Sequence, residues 1–184
     1  MRPYPDEILR SMQFSLDTYV IPNVDDKWGS YVAKVMRRML IHLERRWQFE
    51  GPLLIEDIDD LRGLFATLGD QLSQLDGPVA GDEAARLVEL LGKALEDSDE
   101  PVTGYVSVPE LTERNERLRE KLVQVIEGLD GLEEQAADDE LEATRHEIRC
   151  YLRRQTDRDK QLAEPTFMSF APPSEQKGSK GQAA

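Results

Sequence analysis

Residues 107–129 read SVPELTERNERLREKLVQVIEGL. Ser107 and Glu110 are spaced as a capping box, in which each side chain satisfies a backbone N–H left over at a helix start, and Pro109 is tolerated in that first turn. Leu111, Leu118, Leu122, Val125 and Leu129 then return on one face at the helical period. The stretch predicts an amphipathic helix from Ser107, interrupted at Gly128 and Gly131.

Downstream, residues 139–162 align Leu141, Ile148, Tyr151, Leu152 and Leu162 as a last helix. After Pro165 serine, proline, glycine and lysine accumulate and the apolar period vanishes, so 166–184 is expected to be a flexible tail behind a single domain of 1–165. Phe167 and Phe170 stand out in it, as a docking element or as a cover for a core edge. Upstream, residues 96–107 read as an acidic loop, and a short helix over 82–95 carries Leu87, Val88, Leu91 and Leu95. Before the turn signals at Asp76-Gly77-Pro78, a helix over 53–75 aligns Leu54, Ile58, Leu61, Phe65, Leu68 and Leu72, and Gly69 weakens its last turns. Gly51-Pro52 is expected to separate it from a helix over 26–49, with Trp28, Val32, Val35, Met39 and Leu43 on one face. The first helix starts at Pro5-Asp6-Glu7, places Ile8, Leu9, Met12, Leu16 and Tyr19 on one stripe, and ends by Pro22.

No segment sustains the alternation of a strand, so the expected fold is all-α, a bundle of five or six amphipathic helices that bury their stripes on one another. A chain of 184 residues can form such a core without staples. The single Cys150 cannot bridge internally, Met1 opens no charged-then-apolar leader, and no apolar run reaches a membrane span, which together predict a cytoplasmic protein.

The formal charge of -14 is unevenly placed. Residues 1–50 carry 8 Lys+Arg against 7 Asp+Glu, residues 51–139 carry 7 against 23, and residues 140–184 carry 8 against 7. The acidity argues against duplex nucleic acid, yet two local arginine-rich edges remain. Arg145, Arg149 and Arg153 run along one edge of the last helix's stripe with Glu142 among them, and Lys34, Arg38 and Arg45 flank the stripe of the second helix. The plain account is a solvated flank that pairs with Glu142; the sharper one is a contact for an anion or an acidic partner, which arginine forks suit. His42 falls near the centre of the second helix's apolar face with Arg46 one turn on, either as a hydrogen-bonded core imidazole or as part of a ligand- or partner-binding face. Glu142 and His146 at i and i+4 lack the further ligands zinc needs. Glu56, Asp57, Asp59 and Asp60 lie where a helix start favours acid, without the contrasting environments of a catalytic pair. No catalytic residue, metal site or cofactor is expected.

Arg2-Pro3, Glu7-Ile8-Leu9, the break at Pro22 and Lys34-Val35, with Ala163-Glu164-Pro165-Thr166-Phe167 at the end and Leu111 to Ile126 around Asn115, resemble a bacterial family of small all-helical proteins. Members of that family are encoded beside aminoglycoside-phosphotransferase-like kinases and acyl-CoA dehydrogenases. The resemblance implies an accessory subunit of such a kinase acting on hydroxyacyl-CoA, with any acyl-CoA ligand reached through the partner. The chain departs from the family in Glu164 for an asparagine, in Arg38 for an amide residue, and in a longer middle over 76–107. Two other readings stand beside it: an autonomous small-ligand-binding protein or enzyme with a pocket around His42 and Arg46, and a self-associating scaffold.

Overall fold

The computed structural model describes residues 2–74, 80–98, 106–132 and 138–163. The tail expected over 166–184, with Phe167 and Phe170, and residues 99–105 of the acidic loop lie outside them. The described residues are all-α: helices α1 (Pro5–Ser15), α2 (Lys27–Leu72), α3 (Ala80–Ser98), α4 (Val108–Leu132) and α5 (Asp138–Leu162). A π-turn over Leu16–Val20 and a 3-10 turn over Ile21–Asn23 continue α1. None of these helices is long and apolar enough to cross a membrane.

The Gly51-Pro52 break is overturned as a helix end. α2 runs through it for 46 residues with Pro52 inside. The ring has no N–H for the carbonyl of Gln48, so the continuous helix gives up one rung and bears a proline's steric penalty. The signal marks a different boundary. The chain divides into two compact units, Met1–Trp47 with Lys160–Ala184, and Gln48–Asp159, so the division falls within one turn of Gly51.

The unit Gln48–Asp159 holds the core. Leu61, Leu64, Phe65, Leu68 and Leu72 of α2, Leu87, Leu91 and Ala94 of α3, Leu118, Leu122, Val125, Leu129 and Leu132 of α4, and Leu141, Ile148 and Tyr151 of α5 form one buried cluster. These are nearly the stripes expected from periodicity. The exception is Leu152, 42% exposed, because the buried face of α5 passes through Thr144, Ile148 and Tyr151 instead. At the start of α4 the Ser107 carbonyl accepts from Leu111 N–H at 3.0 Å, and its hydroxyl lies 3.4 Å from the Glu110 N–H. Gly128 does not interrupt α4. A Cβ there would sit 2.5 Å from Leu87 Cδ2, so the missing side chain is what lets α3 and α4 approach.

The unit containing α1 is built differently. Among its described residues Ala33 alone is buried. α1 is tied to the first half of α2 by polar contacts: Arg10 Nε donates to Glu44 Oε1 at 2.7 Å, Gln13 Nε2 to Glu44 Oε2 at 2.9 Å, and Arg37 Nε to Asp17 Oδ2 at 2.7 Å. The Arg10 hydrogen bond, with that from Gln13, holds the Glu44 carboxyl below its ordinary range.

Candidate functional site

Two features stand apart from ordinary helix packing, one in each unit. In Gln48–Asp159 the feature is a buried carboxylate. Asp57 lies on the apolar face of α2, one turn before Leu61 and one after Leu53, and is 2% exposed. Asn115 occupies the matching place on α4 between Leu111 and Leu118, also 2% exposed. An isolated charge cannot remain in such a site, so its partners define it. Asn115 Nδ2 donates to Asp57 Oδ2 at 2.6 Å, and Arg119 Nη2 to the same oxygen at 2.7 Å. Arg158 Nη2 of α5 donates to Oδ1 at 2.5 Å and Tyr151 Oη to Oδ1 at 3.3 Å. Arg158 Nη2 also reaches Asp60 Oδ2 at 2.9 Å, while Arg154 forks onto Asp60 through Nη2 at 2.7 Å and Nε at 3.0 Å.

The electrostatics follow from that geometry. Burial works to raise the Asp57 carboxyl, but the hydrogen bonds from Asn115 and Arg119 and the charges of Arg119 and Arg158 outweigh it, and the net shift is downward. Asp60 is lowered likewise, with burial opposed by Arg154 and Arg158. Burial first, and the Asp57 charge after it, push the Tyr151 phenol up. Both Asp57 oxygens are already committed to intramolecular donors, so proton transfer there would first have to break ion pairs. The cluster is suited to fixing α4 and α5 in register against α2 rather than to turnover.

By spacing alone Asp57 and Asp60 fall near a helix start, where the macrodipole would account for them. The continuous α2 removes that explanation. The available signal was that Asp57 shares the face of Leu61 and Leu68, and Asn115 that of Leu111 and Leu118; two polar residues on apolar stripes ask for partners.

The second feature is what the α1 unit leaves open. Trp28, Val32, Met36, Met39, Leu43 and Trp47 succeed one another at steps of 4, 4, 3, 4 and 4 along α2, and all are exposed, from 39% at Val32 to 70% at Trp28. Ile8 and Met12 of α1 are exposed too, at 45% and 49%. Between the two helices runs a groove of about 660 Å³ walled by Ile8, Met12, Leu16, Met36, Met39 and Leu40. The stripe expected to enter the core therefore lies at the surface, and Val35 alone of its five residues is turned partly inward.

The predicted binding residues fall in both units. In the first, Lys34 and Arg46 are exposed, Arg38 and His42 are half-buried, and Arg45 Nη1 donates to the Ala163 carbonyl at 3.0 Å. In the second, Arg149 pairs with Glu142 at 2.5 Å while Arg145 is half-buried and Arg153 exposed. His146 Nε2 lies 3.4 Å from Cys150 Sγ. Among the described residues no three His, Cys, Asp or Glu side chains gather as a metal site. A cleft of about 810 Å³ near α2, α3 and α4 is lined by five acidic and four basic residues, a balance that selects neither sign of ligand. No family model, curated protein or solved structure matches the chain.

Proposed function

We propose that the chain is a non-catalytic binding subunit whose α1–α2 hairpin is a docking face for protein. The observation that carries this is the uninterrupted exposed seam from Trp28 to Trp47 with Ile8 and Met12 beside it. Contiguous apolar surface of this extent on a helix pair marks a contact site, and a groove rich in methionine suits an amphipathic helix. The ion pairs that close Asp57 and Asp60 support the same reading, since they organise a rigid body and offer no open acid, base or nucleophile.

The partner class comes from the family resemblance: a kinase of the aminoglycoside-phosphotransferase type, acting on a hydroxyacyl-CoA. We assign its contact to the exposed arginines of α5, Arg149 and Arg153, whose forks fit carboxylate or phosphate. The test is co-purification of the tagged chain with such a kinase at near-stoichiometric yield. Arg149→Glu with Arg153→Glu is expected to abolish the complex while the helical circular-dichroism signal stays unchanged. Undiminished binding by that double variant would contradict the assignment of this face.

A further inference from the structure

We propose that the occupant of the α1–α2 face is a second copy of the same hairpin, so that two hairpins close into a four-helix bundle. This rests on the reading of that unit as a protein-docking face. Two helices with a single buried alanine do not make a core, and two such hairpins set face to face make a four-helix bundle that buries a stripe on every member. The 4-3-4 spacing of Val32, Met36, Met39 and Leu43 is that of a knobs-into-holes seam, which pairs with a copy of itself across a two-fold axis.

Area and charge agree with a second copy. Ile8 and Met12 together with the six seam residues from Trp28 to Trp47 offer on the order of 900 Å² per protomer, against the roughly 800 Å² per partner of a stable interface. Residues 1–47 carry 8 Lys+Arg against 6 Asp+Glu, whereas 48–159 carry 12 against 29. Two copies can therefore meet through the near-neutral hairpin, while self-repulsion keeps the acidic units from associating with one another. The chain's own end is a poor substitute. The 21 residues after Ala163 hold three large apolar side chains, Phe167, Met168 and Phe170, within four positions. Four extended residues reach about 14 Å, and the seam from Trp28 to Trp47 is about 29 Å long.

Sedimentation velocity of the full chain over a micromolar concentration series tests this, with Met39→Glu and Met39→Leu beside it and the fluorescence of an apolar-surface dye read on each. The wild type and Met39→Leu are expected to be dimers, and Met39→Glu is expected to dissociate at roughly 100-fold higher concentration with unchanged helicity. Equal dimerisation of wild type and Met39→Glu would overturn this face as the interface. A wild-type monomer that binds the dye would overturn the second copy and leave the face for a different protein. A wild-type monomer that does not bind it would mean that the chain covers its own seam, which overturns both readings.

Discussion

Asp57 shows how one residue can stabilise and specify at once. A buried carboxylate is unfavourable alone, and removing its charge would leave the partly buried Arg119 without its ion pair and Arg158 with Asp60 alone. Asp57→Asn keeps the shape and loses the charge; it is expected to destabilise Gln48–Asp159 by about 3 kcal/mol, read by urea unfolding. The pH dependence has a definite sign. The folded pKa of Asp57 lies below its unfolded value, so its contribution is complete above that unfolded value, about 3.9, and is lost as pH falls through the lower folded pKa. The wild type is therefore expected to lose stability on acidification below about pH 4, and Asp57→Asn to fall less steeply. Equal slopes for the two proteins would remove Asp57 from this role. The residue was legible as an anomaly on an apolar stripe, but its partners come from α4 and α5, at separations of 58 to 101 residues that periodicity does not connect.

At the scale of elements, periodicity located the helices well and punctuation misled. Leu111 to Leu129 and Leu61 to Leu72 are buried as expected because a stripe at the helical period leaves one solution. Gly51-Pro52 and Gly128 carry the propensity of breaks, yet α2 and α4 run through them, because propensity is a local penalty that tertiary packing can outweigh. The glycines of the two helices differ in a way only packing reveals. Around Gly69 nothing lies within 4 Å of an added Cβ, so Gly69→Ala is expected to stabilise by about 1 kcal/mol. At Gly128 the Leu87 side chain occupies that space, and Gly128→Val is expected to destabilise by about 2 kcal/mol. Thermal unfolding of the two variants checks the pair; a stabilising Gly128→Val would mean that α3 and α4 do not pack through this glycine.

For the whole molecule, the difference between the units is the central result. One closes its core and locks it with Asp57 and Asp60; the other spends its polar contacts on holding α1 to α2 and leaves the apolar seam outward. The seam itself was legible, since Trp28, Val32, Met39 and Leu43 stood out on one face. Its destination was not, because an amphipathic stripe states that something must cover it and not whether the cover is in the same chain. The measurement that tests this most directly is methionine oxidation by dilute peroxide, followed at peptide level by mass spectrometry across protein concentrations. Met12, Met36 and Met39 are expected to oxidise quickly in dilute protein and to become protected together as concentration rises. Oxidation of all three at one fast rate throughout the series would contradict a face that is covered by a second copy.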